Sequence, residues 1–550
     1  MTASLVGALE GLDTLLCEKS DLIGGTTAMS AGTIWMPGNR QSVREGVLDD
    51  AQAAAGYLEA EIGPAGKSEL RAVYLRSGPH VLDYLEKHTD VFFRLGASSP
   101  DYHSQQPGAT LRGRALVTPS FDGRLLGKDL ASIRPPRRES MMLGGMMIGR
   151  DDIGPLLRPF ASFASFSHAF RLVLRYAVDR LRYPRGTRLL QGNALVARLL
   201  HSLRKAGAKV ETDASLVRLV RQKGRITGAI VRVGGKHSAI EARRAVVLAT
   251  GGASRNAALS PGSAWREKVA YSLLPESNTG DGMKSASTAG GSIDTAHVSP
   301  VFWMPVSVLR ETDGSKSIFP HIAFDRAKPG LIAVNAAGLR FVNEADSYHD
   351  FVLGMLRSHE SVPSIPAHLV CDHSFIRDYG IGLIWPGGRH LKRFVDAGYA
   401  IVAPSIGELA GKIGVDADGL AMTVSRHNEF ARTGIDLDFG KGTNALNLYN
   451  GDPGSKPNPC LRAISVAPFY AVAVHPADFA ASVGLRTDEN ARVLNSQGLP
   501  IEGLYACGGD MSSIMCGEYP GPGTALGPGL VFGWRAAMFA AGRINSGDLL

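Results

Sequence analysis

Residues 11–39 read GLDTLLCEKSDLIGGTTAMSAGTIWMPGN. Gly11 opens a turn, Thr14 to Cys17 form a short apolar strand, and Glu18 stands at the strand end. The residues just before, Ser4 to Glu10, have helical composition. A helix feeding a strand that ends in an acid is the second half of a βαβ dinucleotide unit, where the carboxylate hydrogen-bonds a ribose hydroxyl. No first strand and no GxGxxG stand before the helix, so the sequence predicts a Rossmann-like α/β fold entered partway through its first unit. Next, Gly24 and Gly25 permit close backbone approach, and Thr26, Thr27 and Ser30 offer hydroxyls and amides to phosphate oxygens. A GG pair by itself is an ordinary turn; the acid at the strand end points it toward a ligand.

On the C-terminal side, residues 50–90 place apolar positions at helical spacing and predict surface helices. Gly96 to Gly149 is rich in Gly, Pro and Met and poorly periodic, which predicts a long excursion over a ligand site or interface. Its Met-rich run from Met141 to Gly149 suits either core packing or a cleft for a flat apolar ligand. Beyond it the spacing predicts a helix from Ala194 to Lys205, strands Ser215 to Arg221 and Ile226 to Val233, and a strand Ala245 to Ala249 running into Thr250-Gly251-Gly252. The pattern changes near Lys284 and changes back near Ile464, and the chain ends on a helix from Val531 to Ile544.

Composition narrows the function classes. Of 550 residues, 59 are Lys or Arg against 51 Asp or Glu, a net charge of +8 that is small for this surface. The densest basic run, RPPRR around Arg134 and Arg138, is short and lacks interleaved aromatics, which argues against nucleic-acid binding. Five widely spaced cysteines with no CxxC predict neither a disulfide framework nor a metal site. No apolar run reaches 18 residues and no basic leader opens the chain, so a cytoplasmic protein without stable membrane insertion is expected. The 65 glycines fall in GG pairs and Gly-Pro clusters, a distribution suited to loops that approach a large ligand.

Eight segments, taken in order, resemble the 3-ketosteroid dehydrogenase branch of the fumarate reductase flavoprotein superfamily. They are EKSDLIGGTTAMSAGTIWMPGN, PDYHSQQPGATLRGR, YPRGTRLLQGNALVARLL, VVLATGG, TGDGM, GLRFVNEADSYHDF, TVSRHNEFARTGIDLDFGKG and GLYACGGDMSSIMCGEYPGPGTALGP. The resemblance implies a FAD-binding domain made from both chain ends, 1–283 and 465–550, with an α+β catalytic domain, 284–464, inserted between them. It implies that Glu18 meets the adenosine ribose and that Gly24, Gly25, Thr26, Thr27, Ser30 and Gly32 lie along the pyrophosphate and flavin. Val217 would offer backbone groups to adenine, followed by Ala249, Thr250 and Gly251, with Asp281 near the ribityl chain. Gly509, Asp510 and the turn Leu526-Gly527-Pro528 would close the site, the last helix aiming its positive end at the flavin pyrimidine.

Placing a C=C bond next to a ketone requires a polarised carbonyl, a base for the α-proton and a hydride acceptor. The resemblance assigns Tyr519 and the amide of Gly523 to the carbonyl oxygen, Tyr348 to the α-proton, and Tyr102 to carrying that proton toward solvent. It implies a ketosteroid or cyclic-ketone substrate and a quinone or other electron acceptor. Alternatives remain: a 4-dehydrogenating relative, a fumarate reductase or succinate dehydrogenase using Arg255 and His297 on two carboxylates, and an inactive flavoprotein lacking its first glycine loop. The YPGPG of Tyr519 to Gly523 favours a ketone and 1,2-dehydrogenation.

Overall fold

The computed structural model describes residues 1–63, 67–96, 99–256, 259, 269–322 and 325–545. The strand Leu15–Cys17 pairs in parallel with Lys209–Glu211, and Val246–Leu248 pairs in parallel with Pro500–Ala506. The second pairing joins the middle of the chain to its end. An antiparallel sheet of Ala214–Gln222, Arg225–Val233 and Lys236–Glu241 lies between these in sequence. One apolar core binds the unit, drawing Leu5, Trp35, Tyr74, Leu248, Leu504 and Trp534 from segments far apart in the chain.

The helix Ser68–His88 departs from the expected surface position. Val73, Tyr74, Val81, Leu82 and Leu85 are buried, and the helix packs on Leu526–Ala540. Its periodicity specified an amphipathic helix but not which element would cover the apolar face. The Met-rich run forms a hairpin, Met141–Met142 with Met146–Met147, and Met147 joins a core with Leu189 and Ala194. Of its two readings, core packing is the observed one for Met147.

A second sheet of seven strands centres on Phe469–Ala481. Val301–Arg310 and Ala367–Asp372 pair antiparallel with that strand, and Leu331–Val334 extends the sheet from Ala367–Asp372. FYAVAVHPADFAA is apolar with little alternation because a central strand is covered on both faces. Two of these strands, Tyr271–Ser272 and Phe469–Ala481, lie outside the expected 284–464 stretch. The hydrogen-bonded sheet therefore extends past both expected boundaries.

A buried ion cluster ties this sheet to the loop before Tyr348. Glu344 accepts from Ala333 N at 3.0 Å and pairs with Arg340 at 2.8 Å and Lys441 at 3.3 Å; Arg340 also pairs with Asp436 at 2.9 Å. Burial alone would raise the Glu344 pKa, but Arg340 and Lys441 outweigh it and hold the carboxylate below its ordinary range. A depressed carboxylate pKa contributes stability that is present above the ordinary value of ~4.3 and is lost as pH falls through the folded value. Glu344→Gln takes the carboxylate from the buried Lys441 and leaves Arg340 with Asp436 alone, a loss of about 3–5 kcal/mol. Thermal unfolding of the holoenzyme should show a lowered midpoint at pH 7, with the gap to wild type narrowing on acidification.

Candidate active site

Tyr348 is the first residue of the helix Tyr348–His359, and Ser347 caps that helix by accepting from Asp350 N at 3.1 Å. The preceding Asp346 accepts from the side-chain amides of Asn444 at 3.0 Å and Asn447 at 2.9 Å. With the Arg340–Glu344 pair these contacts hold the loop that presents the phenol. Tyr102 comes from a loop docked on the YPGPG turn, its N–H donating to Pro520 O at 2.9 Å. Tyr57 Oη donates to the same carbonyl at 2.7 Å. Gly523, at φ 94°, packs so closely that a Cβ there would lie 2.4 Å from Thr33 O.

These separate supports bring the three predicted tyrosines together. Tyr102 and Tyr348 hydroxyls lie 3.3 Å apart, and ring centroids are 5.5 Å apart for Tyr348–Tyr519 and 5.9 Å for Tyr102–Tyr519. All three are buried, in an apolar group that includes Leu273, Phe302, Met304 and Leu446, with Phe479 packed against it. Phe302 and Phe479 meet the Tyr519 ring edge-on at 5.2 and 5.5 Å. The lining is aromatic and aliphatic, suited to a flat apolar ring system.

Electrostatics keep these phenols neutral. Burial, followed by the neighbouring Tyr102 and Tyr519, drives Tyr348 well above the ordinary phenol value. Burial also raises Tyr519, but hydrogen bonds from Tyr348 and the Gly523 amide limit the rise to about 12. The Gly523 N–H thus lies beside the Tyr519 hydroxyl. Beside them His103 lies between Asp350, at 3.0 Å, and Glu61. Burial alone would lower its pKa; hydrogen bonds to Asp350 and Glu61 carry it up to about 11, so the imidazole is protonated at neutral pH.

Of the expected cofactor residues, Glu18 and Ala249 directly follow strands, and others fall on turns, helix starts and a β-bulge. Glu18 follows Leu15–Cys17, and its carboxylate accepts from Ser20 N at 3.0 Å. Val217 sits at a β-bulge where the pairing register slips between Leu216 and Arg218, which frees its backbone groups from the ladder. Gly24 precedes the short helix Gly25–Ala28 that holds Thr26 and Thr27. Ser30 donates to Thr27 O at 2.8 Å and accepts from Gly32 N at 3.0 Å, so it fixes this turn. Asp281 pairs with Lys19 at 2.7 Å and thereby joins the TGDGM loop to the turn after Glu18.

Asp510 is buried, and its carboxylate accepts from Thr250 N, from Thr250 Oγ1 at 2.9 Å and from Gly252 N at 3.1 Å. It therefore locks the Ala249–Thr250–Gly251 turn against the C-terminal segment. Gly509 lets the two loops touch, since a Cβ there would lie 2.5 Å from Gly251 O. Leu526 and Gly527 open the helix Leu526–Ala540 and donate to Gly523 O at 3.0 and 3.2 Å, while Pro528 has no N–H to give. Asp510→Ala removes the lock on the turn. After gel filtration the variant should retain much less bound chromophore per protein than wild type, by visible absorbance.

Sequence reasoning missed the supporting residues Arg340, Asp436, Lys441 and His103. Each lies in a quoted segment; for Arg340 and Asp436 the available signal was charge between apolar neighbours, while Lys441, between glycines, and His103, between Tyr102 and Ser104, carried no such signal. The two residues of the dicarboxylate alternative do not converge: Arg255 donates to Leu274 O, at 2.6 Å for one bond, and His297 bonds Ser482 and Ser512.

The cleft fits a flavin dinucleotide. At Gly25 and Gly508 a Cβ would meet no protein atom within 4 Å, leaving bare backbone open to a ligand. Asn278, which donates to Gly251 O at 2.9 Å, keeps its buried Oδ1 without a protein partner beside the same turn.

A family model described as FAD binding domain matches residues 1–526. The chain is 36% identical to the 4-oxocyclohex-2-ene-1-carboxylate 5-dehydrogenase of Sinomonas cyclohexanicum, over 99% of this chain and 93% of that one. It is 34% identical to a 3-oxosteroid 1-dehydrogenase of Mycobacterium tuberculosis, over 98% and 96%. The solved 3-ketosteroid delta1-dehydrogenase from Sterolibacterium denitrificans, in complex with 1,4-androstadiene-3,17-dione, superposes with a TM-score of 0.89 at 32% identity, covering 99% of this chain and 97% of that one.

Proposed function

The chain belongs to the FAD binding domain family, within its 3-ketosteroid dehydrogenase branch, and we propose that it introduces a C=C bond next to a ring ketone, by 1,2-dehydrogenation of a 3-ketosteroid. It is a FAD-dependent oxidoreductase. The observation that carries the finer reading is the convergence of Tyr102, Tyr348 and Tyr519 in an apolar aromatic pocket. FAD, when bound, supplies the acceptor for the hydride leaving the β-carbon. Glu18, the Gly24–Gly32 stretch, Val217, the Ala249–Gly251 turn, Asp281 and the Gly509–Pro528 segment would hold it. The electrons then pass to a quinone or another acceptor.

The roles of the tyrosines follow from their surroundings. Tyr519 Oη and the Gly523 N–H bind the carbonyl oxygen and stabilise the negative charge that grows there as the α-proton leaves. Tyr348 takes that proton. Because burial holds Tyr348 neutral, it accepts a proton only while giving up its own, and Tyr102 Oη is in place at 3.3 Å to receive it. Tyr102→Phe breaks this exit. Its turnover should fall about 10²-fold at pH 7, and part of the loss should be recovered at alkaline pH as hydroxide removes the Tyr348 proton instead. Equal losses at all pH values would contradict the exit role.

A second reading has its own observation. Arg137 and Arg255 donate to the successive carbonyls of Leu273 and Leu274, and Leu273 belongs to the aromatic pocket. Two guanidinium groups at that edge suit a smaller cyclic ketone bearing a carboxylate, the type of compound named for the Sinomonas relative.

A further inference from the structure

Tyr102 and Tyr348 come from segments that meet twice. Their hydroxyls lie 3.3 Å apart, and beside them His103 Nε2 stands 3.0 Å from Asp350 Oδ2. His103 directly follows Tyr102, and Asp350 lies in the first turn of the helix that Tyr348 opens. The two contacts are therefore two bridges between the same segments, one joining the phenols and one joining charged groups. The charged bridge is fastened at both ends. Asp350 Oδ2 also accepts from Ser347 Oγ at 2.5 Å. On the other side His103 Nδ1 donates to Glu61, whose side chain is 4% exposed. Glu61 and Tyr57 lie one turn apart on the helix Ala51–Ile62. Tyr57 Oη accepts from His103 N at 3.3 Å while donating to Pro520 O, so one face of that helix holds both the backbone and the side chain of His103.

The backbone beside Tyr102 has supports of its own. Asp101 accepts from Arg114 Nη1 and Trp35 Nε1, each at 2.7 Å, and Tyr102 N donates to Pro520 O at 2.9 Å. None of these reaches the Tyr348 helix; that direction is left to the two bridges. At 3.3 Å the phenol pair is longer than a close O–H···O bond of about 2.7–2.8 Å. Proton transfer requires the pair to close to hydrogen-bond reach, so any play between loop and helix falls directly on that step. An exposed ion pair would contribute little here, but the buried carboxylate of Glu61 and the hydroxyl of Ser347 give this one a fixed geometry.

We propose that His103 is a positioning residue for proton transfer: held between Glu61 and Asp350, it draws the Tyr102 loop onto the Tyr348 helix and sets the distance across which Tyr348 passes its proton to Tyr102. The role rests on the reading of Tyr102 as the exit for that proton. Burial opposes the positive charge of His103, but its bonds to Asp350 and Glu61 keep the imidazole protonated at neutral pH. An imidazolium that donates from both nitrogens has no lone pair to offer. His103 therefore takes no proton itself and acts through Tyr102.

The test is a double-variant cycle on the FAD-loaded enzyme, read as kcat and KM. His103→Leu should lower kcat about 10- to 10²-fold, the cost of a small displacement between reacting groups, with KM and the spectrum of bound FAD little changed. His103→Gln, which keeps one amide donor for Asp350, should hold kcat within about three-fold of wild type. In a Tyr102→Phe background His103→Leu should have almost no further effect, because the hydroxyl it positions is gone. Adding Glu61→Gln to His103→Leu relieves the unpaired buried carboxylate, and should restore the thermal midpoint without restoring kcat. An equal loss of kcat from His103→Leu with and without the Tyr102 hydroxyl overturns the proposal, and so does recovery of kcat together with the midpoint; either assigns His103 to stability alone. Wild-type turnover in Tyr102→Phe by itself overturns both the exit reading and the role of His103.

Discussion

Tyr348→Phe is expected to lower turnover by about three orders of magnitude, within the range for loss of a positioned acid–base group, while the visible spectrum of bound FAD stays unchanged. The substitution removes one hydroxyl from a fully packed ring. Its edge contacts with Tyr102 at 5.7 Å and Phe479 at 5.6 Å survive, so the pocket keeps its shape. What is lost is the atom that receives the α-proton and passes one to Tyr102. Substrate binding should change little, because the carbonyl partners Tyr519 and Gly523 remain. The loss should therefore fall on kcat rather than KM. Exchange of the substrate's α-hydrogens with deuterated solvent, measured by mass spectrometry, should be lost along with turnover.

Tyr519→Phe should cost about 10²- to 10³-fold in kcat, the magnitude for removing one donor from an oxyanion site. The phenol at this position is the least raised of the three, held at about 12 by the Tyr348 hydroxyl and the Gly523 amide. It is thus the best hydrogen-bond donor toward a developing enolate oxygen. The Gly523 N–H persists in the variant and accounts for residual activity. Unlike Tyr348→Phe, this variant should retain the intact base and exit route, so raising the pH should not restore it. The two substitutions together should cost less than the product of their separate effects, because both act on one proton-transfer step.

Much of this site was legible in the sequence because its parts are local strings. Glu18 at a strand end, the glycines of 24–32 and the tyrosine of YPGPG each lie within a few residues of the feature that explains them. Residues whose partners are distant in the chain were not legible in that way. Asp510 could be placed near the cofactor, but its bonds to Thr250 and Gly252 span about half the chain. The Arg340–Asp436 pair and the packing of Ser68–His88 on the last helix are of the same kind. Val217 was placed by resemblance; the bulge that frees its backbone depends on pairing with the next strand, which periodicity does not report.

The sheet crossings follow the same logic. Composition changes near 284 and 464, but a strand goes where its hydrogen bonds and both of its faces can be satisfied. Phe469–Ala481 finds that place at the centre of the second sheet, and only after it does the chain return to the nucleotide-binding unit.

The central claim is that this FAD enzyme draws its electrons from a carbon next to a ring ketone. Anaerobic mixing of the holoenzyme with single compounds, followed by the visible absorbance of bound FAD, tests it most directly. A 3-ketosteroid with a saturated 1,2-bond should bleach the flavin within seconds, and the product should carry the new double bond at that position. If the Arg137–Arg255 edge sets the preference instead, 4-oxocyclohex-2-ene-1-carboxylate should bleach it faster than the steroid. Bleaching by succinate, with neither ketone having any effect, would contradict the account.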